Sequence, residues 1–164
     1  MKTAFRGLRF RLHWSQKLEE SEVLPFCYRA LNPEIPITEM TFPSDLKYTK
    51  DHEWLRVEGT TGTIGVTDYA QGELGDVIYL DLKDGVTVAA HESLGTIEAV
   101  KTVSDLFTPV SGTVTEVHSA LNDTPETVNK DPYGEGWLVK LELKNPKEAE
   151  TLLSADEYKQ LIGQ

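Results

Sequence analysis

From residue 53 onward the chain is a run of short segments with strand character. Each closes on a turn signal, and no helix of useful length separates one from the next. Residues 53–57 run into Glu58-Gly59. Residues 63–67 follow, and residues 77–82 stop at Asp84-Gly85. Residues 86–89, 94–100 and 110–117 come next, the last with Gly112 inside it. Parallel strands need crossovers of a dozen or more residues, so this spacing excludes βαβ units. Many short strands at near-even intervals predict a mostly β sandwich or barrel. Near the end, Trp137, Val139, Leu141 and Leu143 alternate with Leu138, Lys140, Glu142 and Lys144, which predicts a half-buried strand.

Two short helices are expected on this sheet framework. Residues 68–74 have Thr67 as a cap and Gly75 as a stop. After Pro146, Ser154 and Glu157 have capping-box spacing, Leu153 and Tyr158 stand where a hydrophobic staple would put them, and Gly163 ends the segment. A helix this short is not stable alone, so it must lie against the sheet.

Composition narrows the function. The chain has 164 residues and a net charge of −11. Residues 1–39 hold six Lys+Arg and five Asp+Glu, a net of +1, while residues 40–164 hold ten and 22, a net of −12. So acidic a domain repels phosphate backbones and argues against nucleic-acid binding. Beyond solubility, the charge suits steering toward basic faces of partner proteins. No apolar run approaches eighteen residues, so no membrane span is expected. Cys27 is the single cysteine, which excludes an internal disulfide framework.

Residues 1–39 read as an N-terminal extension. Lys2, Arg6, Arg9, Arg11 and Lys17 have the flavour of a mitochondrial presequence, but Glu19, Glu20 and Glu22 follow at once. We read this stretch as lying upstream of a natural start at Met40, with a targeting segment second and an additional element third. A start at Met40 goes with a cytoplasmic protein, a presequence with the mitochondrial matrix. The domain proper is 40–164, expected as a monomer because it has no long apolar edge or heptad repeat.

Candidate chemistry is sparse. His52, His91 and His118 are far apart, with no cysteine or acid at ligand spacing, so no metal site is expected. No nucleophile has a base beside it, so a catalytic hydrolase is excluded. Lys101 is different. It stands in Ile97-Glu98-Ala99-Val100-Lys101-Thr102-Val103-Ser104-Asp105, between residues 94–100 and a second strand read over 107–117. By itself it is an ordinary solvated turn lysine. It also meets what a carrier lysine needs: exposure to a modifying enzyme, and a tight turn that fixes its base.

The flanking sequence decides between these readings. Leu46-Lys47-Tyr48, His52-Glu53-Trp54, residues 65–71, Leu74-Gly75-Asp76-Val77, residues 98–101, Ser104-Asp105, Pro109-Val110-Ser111-Gly112, Asn122, Pro125, Asn129 and residues 132–137 occur in order. With Tyr158 in the last helix, this pattern resembles the H-protein family of the glycine cleavage system, whose members are lipoyl carriers. The resemblance implies a lipoyl/biotinyl-type barrel-sandwich hybrid with a short internal helix and a C-terminal helix. It implies lipoate in amide linkage on Lys101, with Glu98 and Gly112 read by the lipoate-attaching enzyme. The dithiolane would accept an aminomethyl group from glycine decarboxylase (the P protein, with pyridoxal phosphate). It would deliver that group to the aminomethyltransferase (the T protein, with tetrahydrofolate). Dihydrolipoyl dehydrogenase (the L protein, with FAD) would reoxidise it, and the carrier itself would catalyse nothing. Glu53 and Asp105 match the acidic lining of a surface cleft into which the loaded arm folds. Asp51 departs from the small hydroxyl residue common there. A biotinyl carrier would flank its lysine with methionines, where this chain has Val100 and Thr102. A lipoyl domain of a 2-oxoacid dehydrogenase would have aspartate at Val100. A relative serving only as a lipoyl donor or binding module is the third alternative.

Overall fold

The computed structural model describes residues 40–164, and the expectations for residues 1–39, Cys27 among them, lie outside the described residues. Among the described residues, nine strands form two antiparallel sheets. The six-stranded sheet has the order β1 (Lys47–Tyr48), β2 (Glu53–Glu58), β3 (Thr61–Val66), β9 (Val139–Leu143), β8 (Gly112–Val117), β5 (Thr87–Val88). The three-stranded sheet has the order β4 (Val77–Leu82), β6 (Ser93–Ala99), β7 (Val103–Phe107). Alternation explains how they pack. Leu55, Ile64, Val114, Val139 and Leu141 from the first sheet share one core with Leu80, Leu94, Ile97 and Leu106 from the second. The mostly β barrel-sandwich expected from the resemblance is the fold observed.

The two expected helices form where their caps stand. Helix α1 (Asp68–Leu74) starts with the Thr67 hydroxyl accepting the Ala70 N–H at 3.2 Å. It ends with the Gly75 N–H donating to the Gln71 carbonyl at 3.0 Å. A single turn, α2 (Thr127–Lys130), was not expected. In α3 (Ala155–Leu161) the Glu157 carboxylate accepts the Ser154 N–H at 2.8 Å, completing the capping box. Tyr158 is fully buried and forms a second core with Phe42, Leu46, Tyr48, Trp54 and Ala155. The helix is thus tied to the six-stranded sheet, as its length demands.

Two expected strand boundaries are corrected. The single strand expected over 107–117 is two strands in different sheets, because the chain crosses between sheets at Thr108–Ser111 and Pro109 has no N–H to continue a ladder. The last strand begins at Val139 and not at Trp137. Trp137 instead stacks its ring on His118, at 4.2 Å between centroids and 6° between planes. Leu138 is wholly buried, with its N–H donated to the Ile64 carbonyl at 2.8 Å. The inward–outward alternation read for 137–138 is therefore reversed.

Candidate functional site

Lys101 occupies the tip of the β6–β7 hairpin. Glu98 pairs with Val103, Ile97 with Ser104 and Thr96 with Asp105, so only Ala99–Thr102 remain for the turn. The Ala99 N–H donates to the Thr102 carbonyl at 2.8 Å, and the Val100 N–H donates to the Asp76 carbonyl at 3.0 Å. These bonds close the tip and fasten it to the segment after α1. Lys101 is exposed, and among the described residues its ammonium has no hydrogen bond or ion pair.

The lysine stem lies over Gly75. A Cβ there would come to 3.4 Å from Lys101 Cε and 3.5 Å from Cδ, and Gly75 has φ +79°, so glycine is required by its backbone. Asn129 holds this segment from behind. Its amide group donates to the Gly75 carbonyl at 2.9 Å and to Gln71 at 3.0 Å, and its carbonyl oxygen accepts the Val77 N–H at 2.9 Å. Neither Gly75 nor Asn129 was assigned a role beside the lysine by sequence reasoning. The signal for Gly75 was its position as the helix stop, and for Asn129 its place in the shared pattern.

The outer face of the three-stranded sheet runs back from this tip in rows. Tyr79, Glu98 and Val103 are mutually opposite and form the first row; Asp81, Thr96 and Asp105 form the second. Glu98 is half-buried in the middle of the first row, and Asp105 is exposed at the end of the second. A register shift between Val77 and Tyr79 makes Ile78 the extra residue of a bulge. Ile78 and Tyr79 are therefore both exposed, although neighbours on a regular strand would face opposite ways.

Glu53 is not the surface carboxylate expected. It is 2 % exposed. One carboxylate oxygen takes the Thr49 hydroxyl, and the other accepts the Phe107 N–H at 3.2 Å. Burial raises its carboxyl above the ordinary glutamate range, partly opposed by these donors. Glu53 thus ties β2 to the end of β7 and meets Asp105 only through the strand both touch. The acidic cleft expected from the pair is corrected to one exposed and one enclosed carboxylate. Asp51 lines a cavity of about 270 Å³ with Thr49, Lys50, His91 and Leu153. His52 adopts φ 70° and lies with Nδ1 2.8 Å from the Tyr158 hydroxyl, which in turn lies 2.9 Å from the Thr67 hydroxyl. Burial lowers the imidazole pKa and pushes the Tyr158 phenol up to about 12.

Gly112 has a packing role of its own. It is buried in β8 of the six-stranded sheet, and a Cβ there would sit 2.5 Å from the Glu142 carbonyl oxygen. Close approach of two strands requires the glycine. The arrangement as a whole offers one unpaired primary amine on a rigid tip, with an apolar and acidic face behind it.

A family model described as glycine cleavage H-protein matches residues 46–164. A glycine cleavage system H protein of Bacteroides thetaiotaomicron is 52 % identical over 125 residues, covering 76 % of this chain and 99 % of the relative. One from Staphylococcus carnosus is 50 % identical over 126 residues, covering 76 % of this chain and 100 % of the relative. Among solved structures, a glycine cleavage system H protein from Mycobacterium marinum superposes with a TM-score of 0.69 at 40 % identity, covering 75 % of this chain and all of that one.

Proposed function

The chain belongs to the glycine cleavage H-protein family, and from that premise we propose that it is a lipoyl carrier bearing lipoate in amide linkage on Lys101. The observation that carries this reading is the exposed, unpaired amine at the tip of a hairpin closed by its own backbone bonds. The residues fit such a group. Nothing among the described residues competes for the ammonium, and the glycine beneath the stem leaves it room to swing. Acylation joins Nζ to the lipoyl carboxyl carbon; the activating group leaves that carbon and a proton leaves the nitrogen. Bound lipoate supplies a disulfide–dithiol pair that carries a one-carbon aminomethyl unit together with its electrons.

The protein's own residues hold and present. The Val100–Asp76 bond keeps the tip fixed while the side chain moves. Glu98 stands opposite Val103 on the outer face, and reading by the lipoate-attaching enzyme is the role assigned to it in this proposal. Asp105 is exposed on the same face, and its carboxylate is the group this proposal gives to attracting a cationic load. Glu53 contributes by fastening β7, and would have to release Thr49 or Phe107 before receiving an ammonium itself. The partners are glycine decarboxylase, the aminomethyltransferase and dihydrolipoyl dehydrogenase, met by a non-catalytic carrier in the cytoplasm. Expressed in a lipoate-competent host, the protein gains the mass of one lipoyl group, and Lys101→Ala gains none while melting at the same temperature. Intact mass spectrometry decides the matter; a biotin adduct, or a lipoyl group on the alanine variant, overturns the assignment.

A further inference from the structure

Seven large apolar side chains are exposed among the described residues, and four of them, Ile78, Tyr79, Val100 and Val103, surround the Lys101 hairpin. Single exposed hydrophobics are ordinary, but a cluster marks an interaction surface. Resting on the carrier reading, we propose that Ile78, Tyr79 and Val103 form the seat on which the lipoate-attaching enzyme docks, through an apolar contact of its own flanked by basic side chains.

Reach decides which partner takes this seat. The attaching enzyme must bring its reactive carbon to the bare lysine amine, which stands only a four-carbon stem above the turn. Its surface therefore has to come down onto the row next to the tip. Partners that work at the far end of the finished arm need not approach so closely. Charge decides what rims that surface. Glu98 stands in the middle of the first row, Asp81 and Asp105 close the second, and neither row holds a cation. An apolar contact ringed by lysine or arginine complements this face and opposes docking of an acidic one. The bulge at Ile78 is the device that widens the seat, because it turns two consecutive side chains outward.

The test measures lipoylation of the full chain by purified attaching enzyme, following intact mass against time. The double variant Ile78→Ser/Tyr79→Ser loses about tenfold in kcat/KM, mainly through KM, the size expected for removing apolar anchors from a docking centre. Val57→Ser, an exposed apolar residue of the six-stranded sheet, keeps the wild-type KM. Thermal melting of both variants shows that the fold is intact; Val103→Ser, which leaves the bulge untouched, repeats the measurement should the double variant melt early. An unchanged KM in the folded seat variants overturns the docking surface, as does an equal rise in Val57→Ser. If wild-type protein is never lipoylated, the carrier reading itself fails, and that outcome is distinct from either.

Discussion

The two sheets treat their apolar residues in opposite ways. The six-stranded sheet encloses Trp54 completely, donates its indole N–H to the Pro132 carbonyl at 3.0 Å, and exposes one large apolar side chain, Val57. The three-stranded sheet buries Leu80, Ile97 and Leu106 on its inner face and leaves Ile78, Tyr79 and Val103 outside. The first is a platform for α3 and the shared core. The second is a half-covered sheet whose uncovered side ends at the lysine. Rigidity beneath and exposure above are thus divided between sheets, which lets a mobile side chain stand on a fixed base.

Substitutions sharpen this division. Trp54→Ala removes a wholly buried ring and its hydrogen bond, and should lower stability by about 3–5 kcal/mol in urea unfolding. Val103→Ser, on the exposed row, should stay within about 0.5 kcal/mol of wild type. Comparable losses at the two positions would mean that the outer face is covered in solution, and the contrast would fall. The two tyrosines give a finer version. Tyr158→Phe removes the hydroxyl shared by His52 and Thr67 and leaves both groups short of a buried partner. A loss of about 1–3 kcal/mol is expected, against little for Tyr79→Phe, whose hydroxyl has no partner among the described residues.

Much of this division was legible in the chain. Thr67, Gly75, Ser154 and Glu157 announce helix ends through local chemistry, and the structure forms both helices between them. The exposure of Lys101 at a tight turn was legible too, because the strand read before it ends at Val100. What was hidden depends on distant neighbours. Glu53 reads as a surface acid because strand alternation cannot say that Thr49 and Phe107 will enclose it. The packing of Gly112 was hidden because the carbonyl of Glu142 that forbids a side chain there is thirty residues away. Trp137 looks like a core strand residue until its ring lies flat on His118. The bulge at Ile78 was invisible too, since the register of β4 is set by β6 and not by its own residues.

Glu53 is where the two sheets are joined, and its ionisation tests that joint. Its carboxyl lies in β2 and accepts an N–H from the end of β7. Burial is the largest influence on it and raises its pKa above the ordinary value of 4.5, the Thr49 and Phe107 donors opposing but not cancelling that effect. A raised folded-state pKa means that the folded protein holds its proton more tightly than the unfolded chain. The associated stability is fully present below the unfolded value and is lost as pH rises through the folded one. Glu53→Gln keeps an oxygen for the Phe107 N–H and removes the charge, so it mimics the protonated side chain at every pH. Wild type should therefore lose ground to Glu53→Gln between pH 4 and pH 7, read as a shift in the difference between their urea midpoints. A difference that moves the other way, with wild type gaining on Glu53→Gln as pH rises, would show that the carboxylate is stabilised in its charged form. Glu53 would then be a poised acceptor for a cation, and the enclosed joint described here would be the wrong account of it.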